Sequence, residues 1–188
     1  MVNVGEQLVA SYLRYIRKCD FTQMNLYTVE SQGEIDVVGI NLKDRKLYVC
    51  EVAIHLTTGL QYVKDKRPNN INKLTEKFGR DIEYANKYFA DYEKHFMLWS
   101  PVVKGGKEGS LYNQLAHLDA IGGNTTANHN VDVEFIVNQR FLDCMNELRA
   151  FARSATADLK CPVMRLLQIE EHLARHLGKS RSQPGSPA

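Results

Sequence analysis

Carboxylate side chains interrupt two neighbouring apolar segments of the sequence. Glu34 and Asp36 accompany the β-branched run at 35–40, and Glu51 lies within the apolar run at 47–54. Alternate residues of a strand share a face, so Asp36 and Glu51 converge if the polar turn between the runs makes them a hairpin. Two ionised carboxylates at a sheet surface repel each other, and desolvation adds to the cost. A divalent cation would relieve both effects, and Mg²⁺ prefers oxygen ligands of this kind.

The second run is predicted to place the carboxylate on one face of a strand and core residues on the other. Ala53 and His55 follow Glu51 at two-residue intervals and therefore share its face. Cys50 falls on the opposite face, which favours a place in the core. The nearly continuous apolar character of the run predicts a central strand that is buried on both sides.

The spacing of these residues resembles the signature of a nuclease superfamily. Gly33-Glu34-Ile35-Asp36 is followed about fifteen residues later by Cys50-Glu51-Val52. This pattern resembles the PD-(D/E)XK superfamily, with its restriction-endonuclease-like fold, and in particular the branch that includes Holliday-junction resolvases. The resemblance covers about residues 1–90. Further positions of the branch's N-terminal pattern are matched by Gly5-Glu6, Ala10, Tyr12-Leu13 and Asn25.

The resemblance implies a metal-dependent endodeoxyribonuclease that hydrolyses phosphodiester bonds of DNA, with RNA as a second substrate to consider. Asp36 and Glu51 would hold Mg²⁺ or Mn²⁺, with the backbone carbonyl of Val52 as a further ligand. Glu6 would approach as an auxiliary acid from the first helix. Glu34 would either bind the metal or remain in solvent at the end of the strand.

The sequence departs from the superfamily pattern at Ala53, where the pattern has a lysine that orients the attacking water and stabilises charge. Three interpretations remain open. His55 could act instead as a proton acceptor near neutral pH. A lysine of the following helix, Lys73 or Lys77, could take over the task. Alternatively, the chain is a catalytically inactive module that binds nucleic acid or assembles with a partner.

A basic segment follows the second carboxylate run and is the candidate for contact with nucleic acid. Because the formal net charge of the chain is only +2, such a role must depend on local patches. Basic side chains here could neutralise backbone phosphates, although charge runs are also typical of solvated helix faces. The residues expected to contact the substrate are Lys64, Lys66, Arg67, Lys77 and Gln61.

Hydrophobic periodicity predicts the element order α, β, β, β, α, β, α, β, α, α. This order predicts one α/β domain with a mixed central sheet flanked by helices. The first helix is predicted at 6–17 and a short strand at 27–30, after a polar connection that contains Asn25. The remaining predicted strands are 35–40, 47–54, 95–103 and 131–137, and the remaining predicted helices are 71–89, 111–121, 138–156 and 162–177.

Two local predictions depend on simple rules. Alternation along the first carboxylate run places Ile35 and Val37 together in one layer. Gly122-Gly123 is predicted to close the helix at 111–121, which makes the polar residues 124–130 a surface loop.

The predicted domain spans residues 1–178, with a core at 1–137 and a helical extension at 138–178. The extension either covers one side of the sheet or forms a homodimer contact. Residues 179–188 are rich in Gly, Ser and Pro, which predicts a disordered tail.

Composition limits the functional class. Hydrophobic residues make up 44% and charged residues 24% of the 188 residues, which is ordinary for a globular protein. No apolar run is long enough to span a bilayer, so no membrane partner is expected. The four cysteines form no CxxC pair, which argues against a zinc ribbon or a disulfide framework and favours a reducing cytoplasm.

Overall fold

A computed structural model of the chain describes residues 3–29 and 33–181. In this part of the chain, five strands form a central sheet, helices flank it, and a two-stranded hairpin lies apart from it. The elements are α1 (Val4–Tyr15), β1 (Phe21–Thr28), β2 (Gly33–Asn41), β3 (Lys46–Val52), β4 (Val63–Lys64), β5 (Arg67–Pro68), α2 (Asn70–Tyr88), β6 (Glu93–Ser100), α3 (Gln114–His129), β7 (Val133–Val137), α4 (Asn138–Ser154) and α5 (Pro162–Arg181).

The sheet is mixed because its strands are connected in two different ways. β1, β2 and β3 are antiparallel neighbours. β6 and β7 run parallel to β3, since α2 and α3 carry the chain back along the sheet before each of them. The strand order β1-β2-β3-β6-β7 places β3 at the centre. The predicted α/β class with a mixed central sheet flanked by helices is therefore confirmed.

Strand β3 separates two apolar layers, as its alternation predicts. Tyr48 and Cys50 pack in the layer of α1, α4 and α5. Leu47 and Val49 pack in the layer of α2 and α3. Glu51 continues the second set by alternation, so its carboxylate faces α2.

The C-terminal helices belong to the same core as the first helix. Leu148 of α4 and Met164 of α5 are fully buried in the layer that contains Tyr12 and Trp99. The rings of Tyr12 and Trp99 meet edge to face, with centroids 5.1 Å apart. Of the two alternatives left open for the helical extension, the described residues show α4 and α5 packed on one side of the sheet.

Strand β1 is longer than predicted and begins earlier. It spans eight residues from Phe21, and Asn25, predicted in a polar connection, lies inside it. The segment lacks a clear apolar pattern because β1 is an edge strand, in which most side chains are exposed or half-buried. Glu30, the predicted end of the strand, lies outside the described residues.

Helix α3 continues through the glycine pair that is predicted to end it. Gly122 approaches the ring of Phe135, where an added Cβ would lie 3.4 Å from Cε2. Thr125 and Thr126 bond their hydroxyl groups to carbonyls one turn earlier, so these polar residues are accommodated within the helix. The helix ends at Asn130, whose φ of 53° is the left-handed conformation common at helix ends. The predicted loop at 124–130 is therefore wrong.

The end of the chain differs slightly from the predicted boundary. α5 extends to Arg181 and so continues into the segment 179–188 that is predicted to be disordered. Residues 182–188 lie outside the described part of the chain. Within the described ranges, no helix combines the length and the apolar character that crossing a membrane requires.

Candidate functional site

Two carboxylates and one lysine meet where β2 and β3 lie beside α2. The Nζ atom of Lys77 forms an ion pair with the carboxylate of Glu51 and lies 3.4 Å from Oδ1 of Asp36. The Glu51 side chain is 1% exposed, the Lys77 side chain 15% and the Asp36 side chain 16%. The predicted convergence of Asp36 and Glu51 is thus present, and a lysine of the following helix lies between them.

The end of β2 is irregular at the point where Asp36 enters the site. Asp36 lies beyond the last described pair of β2 with β3, Val37 with Cys50, and its Oδ2 accepts a hydrogen bond of 2.7 Å from the Val52 amide. Ile35 packs in the α2 layer, whereas Val37 packs in the α1 layer. The prediction of one shared layer for these two residues is wrong, because regular alternation does not hold through Asp36.

Opposite charges keep Lys77 protonated in this buried site. Burial by itself lowers the pKa of Lys77, but the charges of Glu51 and Asp36 outweigh it, and the pKa is raised. Burial, and then the charge of Asp36, raise the pKa of Glu51 well above its usual range, although Lys77 opposes the shift. The ammonium therefore compensates part of the negative charge at the site.

A third carboxyl group, Asp81 of α2, adds to the excess of acid. It is buried, lies within hydrogen-bonding reach of Glu51, and burial raises its pKa to about 6. Three acids with one lysine leave negative charge that only a proton or a further cation can balance.

Asp81 is not among the residues predicted from the sequence, although the sequence carries a signal for it. Asp81 follows Lys77 by four residues, so both side chains lie on one face of α2. On this face of α2, Lys77 reaches the carboxylates of Asp36 and Glu51. The predicted helix at 71–89, with its apolar stripe toward the sheet, would have been enough to place this pair together.

The residues present can accommodate a divalent metal ion, but not as a preformed cage. Among the described residues, no set of three or more His, Cys, Asp or Glu side chains is arranged to hold a metal. Mg²⁺ usually takes one or two carboxylates and fills its remaining positions with water and phosphate oxygens. Asp36 and Glu51 supply that donor set, and the uncompensated acid at the site favours a cation. The ion pair between Lys77 and Glu51 would have to lengthen to admit it.

Glu6, which is predicted as an auxiliary acid, is held by two asparagines. Its carboxylate accepts hydrogen bonds from the side chains of Asn3 and Asn25, the second at 2.9 Å. In β1, Met24 pairs with Val37 and Leu26 pairs with Ile35. Asn25, with φ of 51°, lies between these two pairs and is therefore across from Asp36. Gly5 lets α1 approach the segment that follows β3, since an added Cβ would collide with the side chain of Ile54.

The other predicted site residues lie farther from this centre or in solvent. His55 is exposed beyond the end of β3, with its ring centroid 6.5 Å from that of Tyr62. Lys73 is exposed on α2, one turn before the lysine that reaches the carboxylates. Glu34 is exposed at the start of β2, where it pairs with Tyr27.

The basic segment forms a hairpin between β3 and α2. Strands β4 and β5 are joined by Asp65 and Lys66, which both adopt positive φ, as a two-residue turn requires. The hairpin is anchored at Asn70, whose Oδ1 accepts a hydrogen bond from the Tyr62 amide at 2.6 Å. The predicted contact residues of this segment are all exposed: Gln61, Lys64, Lys66 and Arg67.

Tyr62 connects the base of this hairpin with the carboxylate centre. Burial raises the pKa of Tyr62, while the nearby ammonium of Lys77 lowers it and the carboxylates of Glu51 and Asp36 raise it. The phenol therefore remains protonated and lies within the field of the charged residues.

Comparisons of the chain with models of known protein families, with curated proteins and with solved structures found no match.

Proposed function

We propose that this protein is a metal-dependent nuclease of the PD-(D/E)XK type that hydrolyses phosphodiester bonds of DNA. The observation that carries the proposal is the meeting of Asp36 of β2, Glu51 of β3 and Lys77 of α2. The spacing of Asp36 and Glu51 resembles the superfamily signature, and Lys77 offers the cation that the signature would have at Ala53. The mixed sheet between helical layers is compatible with a restriction-endonuclease-like fold.

Each residue has a role that follows from its contacts. Asp36 and Glu51 hold Mg²⁺ or Mn²⁺, which when bound would activate a water molecule and stabilise charge on the phosphate. The Val52 amide fixes the Asp36 carboxylate by its hydrogen bond. Lys77 orients the attacking water and offers positive charge to the phosphate oxygens. Glu6, held by Asn25 across from Asp36, supports the centre from α1.

The test is metal-dependent cleavage by the purified protein. With Mg²⁺ or Mn²⁺, we expect nicking of supercoiled plasmid and cutting of labelled oligonucleotides. Asp36→Asn and Glu51→Gln should both reduce cleavage to background, because each removes a ligand. Asp91→Asn is the matched control, since Asp91 is an exposed acid paired with Arg45 and adjoins the opposite end of β6. Full activity in both site variants would refute the assignment of the site.

A second candidate is a catalytically inactive module of the same fold that binds nucleic acid. The ion pair between Lys77 and Glu51 favours it, because it partly neutralises the ligand that a metal would need. This candidate predicts salt-sensitive binding of DNA without cleavage in any divalent metal, and unchanged binding in Glu51→Gln. Cleavage that Glu51→Gln abolishes would exclude it.

A further inference from the structure

A narrow cleft lies on the surface between the basic hairpin and the start of α3. Its volume is about 180 Å³, equivalent to roughly six water molecules at about 30 Å³ each. This is the scale of one flat ring system and too small for a stacked base pair. Among the residues that line it are Gln61, Pro68, Asn70, Lys104, Tyr112 and His117.

Two buried amides build this cleft by tying three loops together. Gln114 accepts from the Lys104 amide at 2.8 Å and donates to the Thr58 carbonyl at 3.0 Å. Asn70 donates to the Leu60 carbonyl at 2.8 Å in addition to its bond from Tyr62. The walls are thus fixed in the absence of a ligand, which lowers the entropy cost of binding.

The same network selects the tautomer of a neutral His117. The orientation of the Asn70 amide is determined by its backbone partners, so its nitrogen is a donor. His117 Nδ1 lies 3.0 Å from that nitrogen and must accept. The proton of a neutral imidazole is then on Nε2.

The rim of the cleft combines an aromatic ring with groups that can read a base. Tyr112 lines the cleft and its side chain is 64% exposed, so its ring is accessible to a ligand. The face of a tyrosine stacks on unpaired bases of any sequence. The exposed amide of Gln61 and the ring of His117 offer donors and acceptors for the edge of the base.

The cleft is joined to the carboxylate centre through a short stretch of chain. Gln61 lines the cleft, and the next residue, Tyr62, interacts electrostatically with Lys77 and Asp36. The exposed cations of the hairpin follow directly: Lys64, Lys66 and Arg67. A strand whose backbone crosses these cations could place one base in the cleft and a neighbouring phosphate near the carboxylates.

We infer that the cleft binds an unpaired base, so that the protein prefers single-stranded nucleic acid, or a single-stranded portion, at its site. The inference extends the proposed function, because it names the form of the substrate for that site. In a duplex, neighbouring bases cover each other's faces, and a base must be extruded before a protein ring can stack on it. A fixed pocket for one base beside a basic hairpin suits a strand that is already unpaired.

The experiment measures binding of the full chain in EDTA, where no cleavage occurs. A fluorescein-labelled DNA strand of about 20 nucleotides, longer than the ~4–16 nucleotides that one binding module covers, is compared by anisotropy with its duplex. We expect the single strand to bind at least about tenfold more tightly than the duplex, because the duplex lacks the stacking contribution of roughly one base. Tyr112→Ala should weaken single-strand binding about 5- to 100-fold, whereas Tyr112→Phe keeps the ring and should bind as the unmodified protein does.

Two controls show whether binding depends on the cleft and on a polymeric strand. Tyr88→Ala removes a half-exposed tyrosine at the far end of α2 and should leave binding unchanged. Unlabelled deoxynucleoside monophosphates, at equal phosphate concentration, should displace the labelled strand far less well than unlabelled oligonucleotide does. Equal displacement would assign the cleft to free nucleotides and overturn the inference.

The remaining outcomes distinguish this inference from the proposed nuclease. Equal affinity for single strand and duplex, or unchanged binding in Tyr112→Ala, overturns the inference even if metal-dependent cleavage is found. Tighter single-strand binding that depends on Tyr112, with no cleavage in any metal, supports the inference and refutes the nuclease.

Discussion

Lys77 is the residue that most changes the interpretation of the carboxylates. Ala53 directly follows β3 and is buried, at 2% exposure, in the layer of α2 that Glu51 faces. Lys77 enters from α2 and contacts both acids. Helix α2 therefore supplies a lysine beside the two acids, although Ala53 carries none.

Replacement of Lys77 tests whether this lysine is catalytic. Lys77→Met should lower cleavage with Mg²⁺ by about 10²- to 10⁴-fold, the usual contribution of a group that positions or activates the attacking water. Lys73→Met removes an exposed lysine one turn away and should retain activity. The measurement is the initial rate of oligonucleotide cleavage at saturating metal.

Two further results would decide the role of Lys77. If Lys77 takes the place of a strand lysine, Ala53→Lys combined with Lys77→Ala should recover part of the lost rate, since the cation returns to the same face as Glu51. Loss of activity in Lys73→Met with full activity in Lys77→Met would contradict the assignment and favour Lys73 instead.

At the scale of elements, α3 shows how packing overrides local breakers. The glycine pair at 122–123 is typical of a helix end, yet the helix continues for six residues beyond it. Gly122 lets α3 approach Phe135 of β7, whereas an added Cβ at Gly123 would meet nothing within 4 Å. Only the first of these glycines therefore has a packing role.

Gly123→Ala is expected to stabilise the protein by about 0.5–1 kcal/mol, because alanine loses less conformational entropy in a helix. The free energy of unfolding from urea titration is the measurement. Gly59→Ala is the opposite case, since Gly59 has φ of 71° and an added Cβ would lie 2.5 Å from Gln114 Oε1. It should destabilise the protein. A destabilising Gly123→Ala would indicate that the helix ends at the glycine pair.

At the scale of the whole molecule, helices cover both sides of the sheet, and the cysteines all lie on one of these sides. Cys19, Cys50 and Cys144 are buried in the layer of α1, α4 and α5, and Cys161 is half-buried at the start of α5. The outer face of α5 leaves four large apolar side chains exposed: Leu166, Ile169, Leu173 and Leu177. Homodimer formation remains a prediction, which sedimentation measurements can check.

The three buried thiols should be inert in the native protein. Burial raises the pKa of Cys19 to about 12, raises that of Cys50 well above its usual range, and raises that of Cys144. A raised pKa keeps a thiol protonated at pH 8, and the thiolate is the reactive form. Iodoacetamide should therefore label Cys161 alone in the folded protein and all the cysteines in urea.

Mass spectrometry of the labelled protein checks this expectation, with Cys161→Ser as the control that should take up no label when folded. Labelling of the buried cysteines at the rate of Cys161 would mean that the α1 side of the sheet opens far more readily than its packing implies.

The sequence by itself determined the order of the main elements, the alternation of β3 and the meeting of Asp36 with Glu51. These features are local or depend on pairing of neighbouring strands, so periodicity and turn residues are sufficient to predict them. It did not determine the edge strand β1, whose half-exposed residues have no strong pattern, or the continuation of α3.

Only the tertiary structure showed that Lys77 and not Lys73 contacts the two acids. It also added Asp81 to the carboxylates and assembled the cleft beside Tyr112. Each of these features depends on how α2 and α3 pack against the sheet. Contacts between elements that are far apart in sequence determine which turn of each helix faces the sheet. A one-turn difference along α2 separates an exposed lysine from one held between two acids. That difference depends on packing, which residue spacing alone cannot supply.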